Sequence, residues 1–151
     1  MTRVTLLLLF SAVLCCPAAG QSAGPTKVRV NGVDLHYVER GRGAPLILLH
    51  GGQGDYRSWG PQMEALSQRY RVISYSRRYN YPNDNPLTAS YRSAYTDADD
   101  LAAFIRHLKL GRVHLVGTSA GALAALVLAT ERPGVVRSMV LAEPPAHRWA
   151  K

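Results

Sequence analysis

The segment LVGTSAGALAAL, residues 115–126, constrains this chain more than any other. Its apolar start reads as a strand, the motif GTSAG follows, and the Ala/Leu-rich remainder is typical of a helix. A G-x-S-x-G motif in this setting puts Ser119 on a sharp strand-to-helix turn, with its hydroxyl exposed above a sheet. Gly117 and Gly121 leave room there, because larger side chains would collide with the neighbouring strand and helix. The segment therefore predicts a nucleophilic serine.

A second glycine-rich turn lies in LILLHGGQGDYRSW, residues 46–59. The continuously apolar run Leu46–Leu49 is typical of a parallel strand covered on both faces, and it ends at His50, Gly51 and Gly52. Glycine lets such a turn approach a substrate closely and present backbone N–H groups to a developing negative oxygen. The two motifs together predict a nucleophile and an oxyanion-binding turn in one chain.

The rest of the chain alternates between strand and helix patterns. The pair Asn31-Gly32 predicts a tight β-hairpin, and the later segments follow the order strand, helix, strand, helix, strand, helix, strand. That order demands a parallel sheet with right-handed crossovers, so the predicted fold class is α/β with a mostly parallel sheet. The predicted strands cover residues 27–30, 35–39, 46–49, 71–75, 112–116 and 135–142, and the predicted helices cover 61–68, 96–109 and 120–130.

The helix over residues 96–109 carries its own start signal. Thr96 is predicted to cap it, and Asp97, Asp99 and Asp100 to lie in its first turn, where they favour the positive end of the helix dipole. The apolar residues recur at helical spacing and predict one buried face, made of Leu101, Phe104, Ile105 and Leu108.

A long polar and aromatic loop, residues 77–95, precedes this helix, and most of the chain's tyrosines lie in or beside it. Two interpretations are open. The tyrosines either pack a surface loop or form an aromatic rim on a cleft. The first is slightly favoured, because loops of this length can be functional but composition alone does not show it.

From about residue 27 to residue 145 the chain resembles the α/β-hydrolase superfamily, in its serine-nucleophile branch with an HGG turn. The resemblance implies Ser119 as nucleophile and the backbone N–H groups of Gly52 and Ala120 as the oxyanion hole. It also implies an ester, amide or related carbonyl substrate, an acyl-enzyme, and no cofactor or metal. A serine here argues against haloalkane dehalogenase or epoxide hydrolase chemistry, for which the family uses a carboxylate at this position.

The resemblance leaves the other two triad members open. It places the catalytic histidine after the nucleophile, on a loop behind an eighth strand, and His147 does not match that position, so the histidine base is expected to be absent. Glu143 follows the sixth predicted strand, where some family members carry the acid; the alternative is an ordinary loop carboxylate. The remaining histidines are interpreted as structural or surface residues: His36, His50, His107 and His114.

The sequence therefore predicts an α/β-hydrolase fold truncated after about the sixth strand. The first functional hypothesis is a serine hydrolase that is incomplete as written; the alternative is a non-catalytic truncated or pseudoenzyme domain that at most binds a ligand or partner. Because no histidine is positioned, residues 21–151 alone are expected to show negligible esterase activity. The last strand, residues 135–142, would expose an apolar sheet edge and favour self-association.

The N-terminus has the pattern of a signal peptide over residues 1–20. Arg3 precedes an apolar run too short to span a bilayer, and Ala18 and Gly20 suit a cleavage site. A flexible leader over residues 21–26 and the partial hydrolase domain over residues 27–151 would follow. We expect export to the periplasm or the medium without stable membrane insertion; a lipoprotein acylated at Cys16 is the less favoured alternative.

Charge and cysteine content argue against nucleic-acid binding and against disulfide or cysteine-based metal sites. The net charge of +8 comes from scattered basic residues, without a basic helix, finger spacing or aromatic strand motif, so sequence-specific nucleic-acid binding is not expected. Removal of residues 1–20 would remove both cysteines, and with them any disulfide or cysteine-based metal site.

Overall fold

The computed structural model describes residues 24–145, which contain one six-stranded sheet. In chain order the strands are β1 (Thr26–Val30), β2 (Val33–Arg40), β3 (Ala44–Leu49), β4 (Tyr70–Tyr75), β5 (Val113–Thr118) and β6 (Val136–Ala142). Their order across the sheet is β1-β2-β4-β3-β5-β6. Strands β4, β3, β5 and β6 run parallel, whereas β2 pairs antiparallel with both β1 and β4. The predicted fold class, α/β with a mostly parallel sheet behind an N-terminal hairpin, is confirmed.

Three α-helices cover the sheet: α1 (Gly60–Leu66), α2 (Ala94–His107) and α3 (Ala120–Glu131). Alternate residues of β3 face opposite sides, as the two-residue period of a strand requires. Ile47 and Leu49 pack with α2 and α3 in the larger core, and Leu46 and Leu48 pack with Met63 of α1 in the smaller one. This two-sided burial explains why the sequence of β3 is continuously apolar.

The start of α2 differs from the prediction. The helix begins at Ala94 behind Ser93, whose φ is 44°, and the Thr96 hydroxyl accepts a hydrogen bond from the Arg92 N–H instead of capping the helix. The prediction that Thr96 caps this helix was therefore wrong. With this earlier start only Asp97 lies in the first turn, so Asp99 and Asp100, also predicted there, lie beyond it; Asp97 and Asp100 are both buried and paired with arginines. These two carboxylates serve ion pairs rather than a solvated first turn.

Strand β6 is the edge of the sheet within the described residues, since it pairs only with β5. Most of its side chains are exposed, and Met139 and Val140 expose 39% and 62% of their surface. This agrees with the predicted apolar edge. Whether the edge causes self-association stays a prediction.

Several sequence predictions fall outside residues 24–145. The signal peptide over residues 1–20, residues 21–23 of the leader predicted over residues 21–26, and His147 lie there, although Thr26 already belongs to β1. Within the part of the chain that the structure describes, no helix is long and apolar enough to cross a membrane.

Candidate functional site

Ser119 lies on the turn between the end of β5 and the start of α3, as predicted. Its φ is 50°, a left-handed conformation that is strained for any residue other than glycine. The turn is held on both sides, because the Ser119 N–H donates to the Ala142 carbonyl at 2.8 Å and the Leu123 N–H donates to the Ser119 carbonyl at 3.1 Å. The residue itself is exposed. The turn therefore presents a hydroxyl to solvent on a rigid backbone.

The two glycines of the GTSAG motif are required by close packing. A Cβ on Gly117 would lie 2.8 Å from Ala122 Cα, and one on Gly121 would lie 2.5 Å from the His50 carbonyl oxygen and 2.6 Å from that of Leu49. Real Cβ atoms do not approach backbone so closely, so no larger residue fits without displacing a strand or helix. The predicted steric role of both glycines is confirmed.

The HGG turn at the end of β3 lies directly against the serine. A Cβ on Gly51 would lie 3.5 Å from the Ser119 Cβ, while Gly52 is exposed with no atom within 4 Å of its own Cβ position. Within residues 24–145 the Gly52 N–H makes no hydrogen bond. Ala120 is the first residue of α3, where N–H groups lack partners within the helix. The structure thus places Gly51, the neighbour of Gly52, beside Ser119, which Ala120 follows directly, and the role of Gly52 and Ala120 as an oxyanion hole stays a prediction.

The carbonyl groups of the HGG turn are held on its inner side. The Gly51 carbonyl accepts hydrogen bonds from His50 Nδ1 at 2.7 Å and from Arg77 Nη2 at 2.9 Å. The Gly52 carbonyl accepts from Asn80 Nδ2 at 2.7 Å and from the same Arg77 Nη2 at 3.3 Å. Both peptide groups are therefore tied to the segment that follows β4.

His50 is fully buried and occupied at both ring nitrogens. The Arg77 backbone N–H donates to His50 Nε2 at 3.0 Å, so the ring must carry its proton on Nδ1, which donates to the Gly51 carbonyl. Burial, together with the nearby Arg77 charge, lowers the pKa of His50 to about 4. His50 is a neutral structural residue, as the sequence interpretation held, and its Nε2 is not free to act as a base.

A buried ion pair between Arg77 and Asp97 supports this arrangement, and sequence reasoning missed it. Arg77 Nη1 bonds an Asp97 carboxylate oxygen, and the two side chains expose only 5% and 1% of their surface. Burial raises the pKa of Asp97, an effect that the Arg77 guanidinium partly offsets. Two features of the sequence could have indicated the pair: Arg77 and Arg78 follow a predicted strand, and α2 carries acidic residues near its start. A helix packed on a sheet can bury such charged side chains only when they are paired.

The neighbouring pair joins Arg78, whose side chain is 10% exposed, to the buried Asp100. Arg78 Nε and Nη2 bond the two Asp100 carboxylate oxygens at 2.8 and 2.7 Å. Asp100 also accepts from Asn31 in the β1–β2 turn at 3.0 Å, so this pair ties α2 to the hairpin. Unlike Arg77, the Arg78 side chain makes no hydrogen bond to the HGG turn in residues 24–145.

Asparagine side chains attach the loop over residues 77–95 to β2. The Asn83 side chain accepts from the His36 N–H at 3.0 Å, and the Asn85 side chain accepts from the Asp34 N–H at 2.9 Å. The tyrosines pack locally: Tyr79 meets Tyr91 edge-to-face at 4.8 Å, and Arg57 stacks on Tyr81 at 4.5 Å. These contacts agree with the surface-packing interpretation.

The other described histidines have no place beside the serine. His36 Nδ1 contacts Asn83 at 2.8 Å, His107 is exposed near the end of α2, and His114 Nδ1 contacts Ser138 at 2.7 Å. His114 also sits five positions before Ser119 along β5, about 16 Å away in an extended strand. Residues 24–145 therefore offer no free imidazole at the nucleophile, and within them no group of three side chains could hold a metal ion.

Glu143 follows the end of β6, next to the Ala142 carbonyl that accepts from Ser119. It is exposed, its φ is 52°, and its side chain makes no hydrogen bond in the described part of the chain. The structure places Glu143 at the same end of the sheet as the nucleophile. Its role as triad acid stays a prediction.

Comparison with known proteins agrees with this geometry. The chain is 33% identical over 133 residues to the human "Serine hydrolase BPHL", which covers 83% of this chain and 45% of that protein. It is 35% identical over 111 residues to a "Putative carbamate hydrolase RutD" of Caulobacter vibrioides, covering 71% of this chain and 41% of the relative. Among solved structures, an epoxide hydrolase from Vigna radiata superposes with a TM-score of 0.74 at 30% identity, over 78% of this chain and 38% of that one.

The chain spans less than half the length of the relatives that it matches. A family model described as alpha/beta hydrolase fold matches residues 44–151, which is most of the chain. The motifs, the sheet order and the relatives lead to the same assignment: the chain belongs to the α/β-hydrolase superfamily, whose named members here are hydrolases.

Proposed function

We propose that this chain carries the nucleophile half of a serine hydrolase that acts on an ester, amide or related carbonyl compound. The observation that carries the proposal is Ser119 itself, an exposed serine in a left-handed turn between Gly117 and Gly121, with the HGG turn against it. Its hydroxyl has no hydrogen-bond partner within residues 24–145, so it is free to meet a substrate.

In the proposed reaction Ser119 Oγ attacks the substrate carbonyl and a new C–O bond forms. The hydroxyl proton passes to a histidine imidazole outside residues 24–145, which then returns it to the leaving alcohol or amine. The carbonyl oxygen becomes an oxyanion facing the N–H groups of Gly52 and Ala120, and the dipole of α3 favours that negative charge. Water then hydrolyses the acyl-enzyme and restores the serine.

Glu143 is the proposed acid, since a carboxylate at the end of β6 could orient an imidazole over Ser119. The competing hypothesis is a domain without catalytic activity. Its support is that three of the four described histidines are engaged in hydrogen bonds, and that the fourth, His107, ends α2 before the start of β5, whereas Ser119 follows the end of β5. The similarity to an epoxide hydrolase does not favour epoxide opening here, because that chemistry in this family takes a carboxylate where this chain has Ser119.

The test is labelling by a fluorophosphonate probe, which reacts with activated serines. The complete reading frame of the gene and the 151-residue chain are both expressed, each unaltered, as Ser119→Ala and as Ser90→Ala, a control serine in the exposed loop. We expect labelling of the complete protein that Ser119→Ala abolishes and Ser90→Ala leaves intact, and little or no labelling or ester turnover by the 151 residues alone. Labelling that persists in Ser119→Ala contradicts the assignment, and no labelling of the complete protein supports the non-catalytic alternative.

A further inference from the structure

The orientation of one peptide group decides whether the HGG turn can receive an oxyanion. The bond between Gly51 and Gly52 is trans, since the cis peptide found in residues 24–145 is Tyr81–Pro82. In a trans peptide the carbonyl and the following N–H point in opposite directions. Whatever fixes the Gly51 carbonyl therefore also fixes the Gly52 N–H.

A single nitrogen of Arg77 donates hydrogen bonds to both carbonyls of the turn. Its Nη2 donates to the Gly51 oxygen at 2.9 Å and to the Gly52 oxygen at 3.3 Å. His50 and Asn80 each donate to one of these two oxygens as well, and the Gly54 backbone N–H donates to the Gly51 oxygen at 3.3 Å. Arg77 is thus the side chain that links the two peptide groups and draws both carbonyls inward, away from the exposed side of Gly52.

Asp97 fixes the position of Arg77. The guanidinium is planar and rigid, so a carboxylate bound at Nη1 sets the direction in which Nη2 points. Asp97 is anchored on α2, where its N–H donates to the Ser93 carbonyl at 2.9 Å and Tyr91 Oη lies 3.4 Å from its carboxylate. The Arg77 Nε has no partner in the described part of the chain, so the pair and the two carbonyls determine how the guanidinium lies.

A contribution to folding stability does not by itself explain the buried Arg77–Asp97 ion pair. Desolvation of two charges offsets much of their attraction, and buried pairs are often replaced by apolar residues at no loss of stability. We propose that the Arg77–Asp97 pair is a positioning element of the oxyanion turn: it holds the Gly51 and Gly52 carbonyls inward and so presents the Gly52 N–H on the side of Ser119. The inference rests on the proposed serine hydrolase function.

The chain offers a matched control for this proposal. Arg78 directly follows Arg77, and Asp100 lies on α2 as Asp97 does. These two residues form a second ion pair of low exposure, and within residues 24–145 they make no hydrogen bond to the HGG turn. We compare the double variant Arg77→Met/Asp97→Leu with Arg78→Met/Asp100→Leu, both in the complete protein. Each variant removes both charges together, so neither leaves an unpaired ion in the core.

The first readout is the kinetics of fluorophosphonate labelling at Ser119, divided into probe binding and the bond-forming rate. Loss of one oxyanion donor lowers rates about 100-fold or more, and His50 and Asn80 remain in place, so we expect the Arg77/Asp97 variant to lose about tenfold in the bond-forming rate with unchanged probe binding. The Arg78/Asp100 variant is expected to stay within about twofold of the unaltered protein. Equal losses in both variants, or no loss in the first, overturn the proposal.

The second readout does not depend on activity. Crystal structures of both variants report the direction of the Gly51–Gly52 peptide, which is expected to be rotated or disordered only when Arg77 and Asp97 are replaced. A failure of the proposed function, with no labelling of the unaltered protein, leaves this structural test intact, and an unmoved peptide overturns the inference by itself. Should the double variant not fold, Arg77→Lys replaces it: lysine keeps the charge beside Asp97 but cannot also reach both carbonyls, and a bond-forming rate equal to that of the unaltered protein refutes the positioning role.

Discussion

The ends of β5 and β6 are held very differently, although both strands lead into a residue with left-handed backbone at the same end of the sheet. Ser119 after β5 has φ 50° and Glu143 after β6 has φ 52°. The backbone turn at Ser119 is held by the neighbouring HGG turn, by close glycine contacts and by backbone bonds on both sides. Glu143 is exposed at the sheet edge, with no side-chain hydrogen bond in residues 24–145.

The difference shows which part of the site these residues can organise by themselves. A strained backbone conformation persists where the surroundings over-determine it, and at Ser119 they do. The nucleophile side is built from the centre of the sheet, with β3 and β6 on either side of β5. Glu143, by contrast, follows β6, which pairs only with β5 in residues 24–145. We therefore expect perturbations near Ser119 to have large effects and perturbations on β6 to have small ones.

The largest effect on stability is expected from Gly121→Ala. The new methyl would meet the His50 and Leu49 carbonyl oxygens at 2.5 and 2.6 Å, and both are backbone atoms at the end of β3 that cannot move aside cheaply. We expect a loss of about 3 kcal/mol or more in the free energy of unfolding, at the upper end for overpacked sites. Urea denaturation of the purified protein measures it.

Gly60→Ala is the control for that substitution, because it also starts a helix and its Cβ would meet nothing within 4 Å. This variant is expected to change the free energy of unfolding by no more than about 1 kcal/mol, because the preference of alanine for a helix is opposed by Pro61, which disfavours helical backbone at the residue before it. Equal stability of the two variants would contradict the view that the turn at Ser119 is closely packed.

The pH dependence of stability tests how completely the region behind the HGG turn is buried. The pKa of His50 falls to about 4 in the folded protein, whereas an unfolded histidine titrates near ~6.5. Between these values only the unfolded state gains a proton at His50, so acid favours unfolding. This residue should therefore remove about 3 kcal/mol of stability as the pH falls from about 6.5 to about 4.

Unfolding measured at both pH values isolates this contribution. His50→Gln should lack that part of the acid loss, while His107→Gln, at an exposed position on α2, should retain it in full. An acid loss that is identical in all three proteins would show that the region behind the HGG turn is not closed to protons.

The smallest effect on stability is expected on β6. Val140→Lys places a charge on an edge residue that is already 62% exposed, so the free energy of unfolding should change by no more than about 0.5 kcal/mol. If the 151-residue chain associates through this edge, the charge should weaken that association, because lysine opposes pairing between edge strands. Sedimentation velocity compares it with Val140→Thr, and equal association of the two variants would place the contact elsewhere.

The fold was largely predictable because its signals are local. The continuously apolar β3, the Asn31-Gly32 turn and the helical spacing of Leu101, Phe104 and Ile105 each follow from neighbouring residues, and the structure confirms all three. The start of α2 was not predicted, because Ser93 begins the helix without a side-chain cap and Thr96 looked like the better candidate. What turned Asp97 inward was a partner 20 positions earlier in the chain.

By itself the sequence determined the position of the nucleophile candidate, since a serine between two glycines at a strand-to-helix junction needs only nearby residues to be recognised. Only the tertiary structure decided what surrounds it. The inward carbonyls of Gly51 and Gly52, the neutral state of His50 and the pairing of Arg77 with Asp97 join β3, β4 and α2, which are distant in sequence. Burial decides such pairings, because a charge removed from water is tolerated only where a partner from another element meets it.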